Sequence, residues 1–241
     1  MRFRQKLFAH PIQTIQVLWD HWAALLYDRW HGVEAGKRGV RVPYDPTQPK
    51  YIRWAFRNLP IDPAAYSFVD FGSGKGRVLI AAAERPFLRV VGVEYSRDLH
   101  EAAVANIGSA KRIKCRDTTS LCMDAAEFSI PETPCVLYFY NPFRGETMDR
   151  VLSNIQASLT RAPRPLFLVY VNPVLHDVFM RKPGMRLIKG GVVQRVFLGW
   201  SMSEGIRRDT DRNWPLRSLS SPPLIGSARL FAAHGFAVTS S

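Results

Sequence analysis

Phe68-Val69-Asp70-Phe71-Gly72-Ser73-Gly74-Lys75-Gly76-Arg77 runs directly into Val78-Leu79-Ile80-Ala81-Ala82-Ala83. A short apolar run, three glycines at alternate positions and a helix-forming run spell strand, tight turn and helix. A helix that starts at such a turn presents backbone N–H groups to an anion or polar ligand. The glycines supply positive φ and keep side chains away from the ligand's path. The spacing is G-x-G-x-G with Asp70 two residues before the first glycine, which differs from the G-x-G-x-x-G of dinucleotide binders. It is not a P-loop either, because Lys75 is followed by Gly76 and not by Ser or Thr. A nicotinamide-dependent oxidoreductase is therefore disfavoured.

A second strand, Val90-Val91-Gly92-Val93, ends at Glu94. In a doubly wound sheet an acid at that point can hold both hydroxyls of a ribose. Further along, Cys135 to Tyr140 and Leu166 to Val171 are near-continuous apolar runs, as expected of parallel strands buried on both faces. Each stops at Asn-Pro: Asn141-Pro142-Phe143 and Asn172-Pro173. Thr147 to Thr160 reads as the helix between them, and Ser96 to Ile107 as a helix capped by Ser96. Met185 to Lys189 and Val192 to Leu198, joined by Gly190-Gly191, read as a hairpin. Asp117 to Met123 shows no regular pattern. These elements alternate as in an α/β protein, and Gly72, Glu94, Asp124, Asn141 and Asn172 should meet outside the carboxyl ends of the strands.

At these residues the chain resembles the class I, seven-stranded S-adenosylmethionine-dependent methyltransferases. Asp70, Gly72, Gly74 and Gly76 resemble their first motif, which also takes in Ser73. Glu94 resembles the ribose-binding acid, and Asp124, with Ala125 beside it, the acid that meets the adenine amino group. The resemblance is closer to a subgroup with Tyr-x-Pro-Thr, G-S-G-x-G-R and Asn-Pro-Phe, which includes uncharacterised bacterial enzymes and the mitochondrial-type protein lysine methyltransferases. It spans roughly residues 44 to 200. It implies a Rossmann-like, doubly wound sheet of seven strands with the last pair antiparallel, and S-adenosyl-L-methionine as cofactor. It also implies that Tyr44 and Thr47 fold over that cofactor, and that Asn141, Pro142 and Phe143 receive the methyl acceptor. An amide oxygen at Asn141 can accept a hydrogen bond from an attacking amine while Phe143 walls its channel. The second proline found in many nitrogen methyltransferases is missing, which speaks against a flipped planar base and leaves a lysine amine open.

With 241 residues and 46% hydrophobic content the chain suits one catalytic domain with extensions. The expected division is a helical extension or lid over residues 1–58, a core over 59–202 and an irregular tail over 203–241. Three cysteines, Cys115, Cys122 and Cys135, have neither disulfide nor zinc spacing, no metal site is expected, and a cytoplasmic setting fits. No stretch approaches a membrane span. The net charge of +13 admits nucleic acid as a partner, making an RNA N-methyltransferase one alternative and a non-catalytic binding module another.

Pro11 to Trp30 reads as an amphipathic helix, with Ile15, Leu18, Trp19, Trp22, Leu25, Leu26 and Trp30 on one face. Gln13, Gln16, Asp20 and Asp28 lie opposite. That polar face is not basic, which argues against a membrane-surface helix and for packing of the apolar face on the domain or a partner. No general base stands out: His100 and His176 are candidates only by topology, Lys75 is expected to reach solvent, and Arg77 is expected to form an ion pair.

Overall fold

The computed structural model describes residues 11–36, 44–143, 145–175, 177, 179, 185–190 and 194–199. All belong to one unit, spanning 1–203; the unit from 204 to 241, and with it the expected tail, lies outside the described residues, as does His176.

The sheet grows outward from β1 (Ser67–Phe71), every residue of which is buried. Parallel to it on one side run β2 (Arg89–Glu94) and then β3 (Thr118–Cys122). On the other side run β4 (Cys135–Tyr140) and β5 (Leu166–Val171), also parallel. β7 (Gln194–Gly199) pairs antiparallel with β5, and β6 (Met185–Gly190) antiparallel with β7. The order is β3-β2-β1-β4-β5-β7-β6, so the direction of winding reverses between β1 and β4. That reversal opens a crevice at the carboxyl ends of β1 and β4.

β3 corrects the sequence expectation. Its Thr118-Thr119-Ser120-Leu121-Cys122 is only partly buried and follows β2 alone among the five parallel strands. An edge strand with one neighbour needs no continuous apolar run, so the hydrophobic pattern that reveals β4 and β5 is missing there.

Both faces of the sheet are covered. Val69, Phe71, Leu137, Phe139, Leu168 and Tyr170 pack against Met148, Val151, Leu152 and Ile155 of α5 (Glu146–Arg161). On the opposite face, Phe68 lies between Phe56, Phe87 and Tyr138, with ring centroids 5.3–6.1 Å apart. Phe56 belongs to α2 (Pro49–Arg57). α3 (Arg77–Ala83) is buried along its whole length, and its Leu79 reaches the space where Gly92 would carry a side chain. α4 (Arg97–Ser109) packs along β3 and turns Leu99, Ala103 and Asn106 inward.

α1 (Pro11–His31) sits on this scaffold in an unexpected sense. Asp28 is buried and forms a two-pronged ion pair with Arg77, Nε to Oδ1 at 2.7 Å and Nη2 to Oδ2 at 2.6 Å. Asp20 accepts from Lys50 at 2.6 Å, and His31 meets Glu84. Asp20, Asp28 and His31 thus point to the domain, while Ile15, Leu18, Trp19, Trp22, Leu25, Leu26 and Trp30 are exposed. Of the two expected neighbours of the apolar face, the domain or a partner, the domain is ruled out for these exposed residues. The physical reason is Arg77: a buried guanidinium needs a carboxylate, and the helix is rotated to bring one.

Candidate ligand cleft at the carboxyl edge of the sheet

The turn after β1 is built from three left-handed glycines, Gly72, Gly74 and Gly76, at φ +73°, +54° and +81°. A Cβ at Gly72 would stand 2.5 Å from Pro142 Cβ, and one at Gly74 would run into the Tyr44 ring. These two glycines therefore admit the neighbouring walls of the cleft as well as the bend itself. Gly76 has a different job. It precedes α3, faces Ala103 of α4, and forms no part of the cleft wall.

The amides of this turn were expected to face a ligand, yet three of them point to β2. Gly72 and Ser73 donate to the Val93 carbonyl at 2.8 and 3.2 Å, and Gly74 donates to Glu94 Oε2 at 2.8 Å. Glu94 Oε1 accepts from the Ser96 N–H, also at 2.8 Å. Each carboxylate oxygen keeps a second lone pair, and the two backbone bonds fix the plane of the group. Both oxygens of Glu94 are thus held in a fixed orientation at the wall of the cleft.

The walls enclose about 1120 Å³ and contain, from the expected set, Tyr44, Thr47, Asp70, Gly72, Ser73, Gly74, Glu94, Asp124, Ala125, Asn141, Pro142 and Phe143. Of the expected residues only Gly76 is left out. The volume suits a nucleoside-sized ligand with room for part of a second one.

Tyr44, Asp45 and Thr47 form the roof. The Tyr44 hydroxyl donates to the Ala35 carbonyl at 3.2 Å, Tyr140 donates to Asp45 Oδ2 at 3.0 Å, and Arg77 Nη1 donates to the Thr47 carbonyl at 3.0 Å. Arg77 therefore joins α1, the roof and the start of α3. Its expected ion pair is present. Lys75, expected at the surface, is buried. Asn106 supports the same turn from α4: its amide donates to the Lys75 carbonyl at 2.9 Å and accepts from Glu34 N–H at 2.9 Å.

Asp124 caps the short 3-10 turn Ala125–Glu127, accepting from Ala126 N–H at 2.8 Å. Its other oxygen stands 3.9 Å from Arg150. At the opposite end Asn141 and Asn172 close β4 and β5, both left-handed, at φ +45° and +49°. Both precede a proline, which disfavours the ordinary helical conformation at that position. The left-handed backbone turns both residues into the cleft wall. Tyr170 donates to Asn141 Oδ1 at 3.3 Å and accepts from Leu175 N–H at 3.3 Å, so the amide of Asn141 is held by a phenol from the next strand.

Electrostatically the cleft opposes the rest of the chain. Asp45, Asp70, Glu94 and Asp124 line it, and Arg77, the one arginine of the lining among the described residues, is already paired with Asp28. Burial, and then the nearby Glu94 carboxylate, push the Asp70 carboxyl well above the ordinary carboxylate range. Among the described residues, Ser73 Oγ is buried without a hydrogen-bond partner. His100 is no part of this site: its Nδ1 shares a hydrogen bond with Ser120 Oγ at 2.9 Å.

An acid-lined cleft at the winding reversal of a mainly parallel sheet defines a Rossmann-like α/β protein with the methyltransferase fold. No family model matches the chain, and no curated protein matches it. Among solved structures it is similar to yhhF of Escherichia coli, a candidate methyltransferase, with a TM-score of 0.51 and 12% identity over 70% of this chain and 91% of that one. It is also similar to a candidate RNA methyltransferase of Pyrococcus horikoshii, with a TM-score of 0.50 and 12% identity over 74% of this chain and 97% of the other. At such identities the likeness defines the fold.

Proposed function

We propose that this protein is an S-adenosylmethionine-dependent methyltransferase whose acceptor is a nitrogen, with a protein lysine amine as the acceptor that suits the cleft best. The observation that carries this reading is Glu94, held by two backbone amides beside a glycine turn, in one cleft with Asp124 and Asn141. The residues fit the group. Glu94 suits the ribose hydroxyls, Asp124 and Ala125 the adenine edge, and the unpartnered Ser73 hydroxyl a polar group near the turn. When bound, the cofactor supplies a methyl group on a positively charged sulfur.

Most of the catalytic work left to the chain is placement. The roof residues Tyr44 and Thr47 exclude water, and the acidic lining favours cations, both a sulfonium and an approaching ammonium. Once the ammonium has given a proton to solvent, Asn141, with its amide oriented by Tyr170, accepts a hydrogen bond from the neutral amine and aims its lone pair. Phe143, in edge contact with Phe71 and Phe139, gives the acceptor a firm apolar wall. Phosphates would meet the carboxylates of Asp45, Glu94 and Asp124 here, which supports an amine over RNA. The overall charge of +13 favours the RNA reading, and that alternative is kept for the test.

Calorimetry with S-adenosylhomocysteine and transfer of labelled methyl groups into cell lysate test the proposal together. Gly74→Ala should abolish binding, because its Cβ meets Tyr44. Asn141→Gly, which keeps the left-handed backbone, should bind normally and transfer nothing. Folded wild-type protein that gives no binding heat rejects the cofactor; label entering RNA and not protein rejects the lysine.

A further inference from the structure

α1 is an amphipathic helix worn inside out. Trp19 is 71% exposed, Trp22 61% and Trp30 60%, and Ile15, Leu18, Leu25 and Leu26 join them on the same face. Soluble monomers rarely display a continuous apolar surface of this kind. Among the described residues the remaining exposed positions of that face are His21 and Arg29. Both acids of the helix are removed from it: Asp28 is spent on Arg77 and Asp20 on Lys50. Arg112 adds a guanidinium 4.1 Å from the Trp30 ring centre. The ten residues before the helix contain Arg2, Arg4 and Lys6 and no acid.

From this face we infer that α1 is a membrane-surface helix, which lies flat on an anionic lipid bilayer and holds the domain there. The sequence argues against such a helix because its polar face is not basic, but in the structure the two acids of that face, Asp20 and Asp28, are turned to Lys50 and Arg77. Among the described residues, what remains outward is apolar apart from His21 and the cation Arg29. Tryptophans prefer the boundary between headgroups and acyl chains, and arginines reach the phosphates. The 21 residues of the helix extend about 31 Å at ~1.5 Å per residue, ample for an in-plane anchor. It does not cross the bilayer: among the described residues no helix is long and apolar enough for that. The cations on and beside this face, Arg29 and Arg112, are what select an anionic lipid surface. The inference does not depend on the proposed activity.

The test is flotation of the full chain with vesicles of phosphatidylcholine containing phosphatidylglycerol, and with phosphatidylcholine alone. The protein should float with the anionic vesicles, with a blue-shifted tryptophan emission, and bind less as salt is raised. Trp19→Ser combined with Trp22→Ser should weaken partitioning by about tenfold or more with the melting temperature unchanged, since both side chains face solvent. Arg29→Glu combined with Arg112→Glu should remove the preference for anionic lipid. Wild-type protein that stays unbound with both vesicles overturns the inference, as does a tryptophan variant that binds equally well. A wild-type dimer that the tryptophan variant dissociates would assign the face to a second copy and overturn it too.

Discussion

Removing the Asp28 carboxylate strands the Arg77 guanidinium in the interior. Its side chain is 4% exposed and spends two of its three hydrogen bonds on Asp28, the third on the Thr47 carbonyl. Breaking a buried pair from one side costs about 3–5 kcal/mol, because a charge is left without compensation. For a domain of this size Asp28→Ala should then lower Tm by roughly 6–20 °C, at about 2–4 °C per kcal/mol. Arg77→Met should cost a similar amount. The double variant is the informative one: with both charges gone no unpaired ion remains, so its loss should fall well below the sum of the two. Urea unfolding of the four proteins measures the coupling, expected at about 2 kcal/mol or more. Additivity within about 0.5 kcal/mol would refute the argument that Asp28 orients α1 by neutralising Arg77. The cleft supplies an independent readout, since losing Arg77 also frees the roof at Thr47.

Asp70→Asn tests the raised Asp70 carboxyl. The folded state keeps that proton to higher pH than the unfolded chain does, so wild-type stability declines as pH climbs from about 4 through the raised value, while asparagine stays neutral. The variant's Tm advantage should grow between pH 4 and 8; an advantage that shrinks over that interval contradicts the assignment. Tyr170→Phe removes the hydroxyl that holds Asn141 Oδ1, and should lower kcat about tenfold with the KM for cofactor unchanged, at about 1 kcal/mol of stability. A kcat unchanged in Tyr170→Phe would separate the two residues.

The pieces of this fold that could be read directly are those whose cause is local. A glycine turn between an apolar run and a helix former, or a buried strand halted by Asn-Pro, is settled within about ten residues of chain. Their meeting at one edge then follows from the topology of parallel sheets, and twelve of the thirteen expected site residues line the cleft. Gly76 fell outside because a glycine needed for φ looks the same in sequence as one needed for a ligand. β3 went unseen because an edge strand carries a mixed pattern.

Partnership across the chain is a different kind of information. Arg77 and Asp28 are 49 positions apart, Tyr170 and Asn141 are 29 apart, and Asn106 and Lys75 are 31 apart. Nothing near Tyr170 distinguishes a phenol that orients an amide from one that fills a core. For α1 the periodic pattern established that one face is apolar and the other polar. Only the packed structure decided which face turns inward, because the decision rested on the cost of leaving one distant arginine buried without its counter-charge.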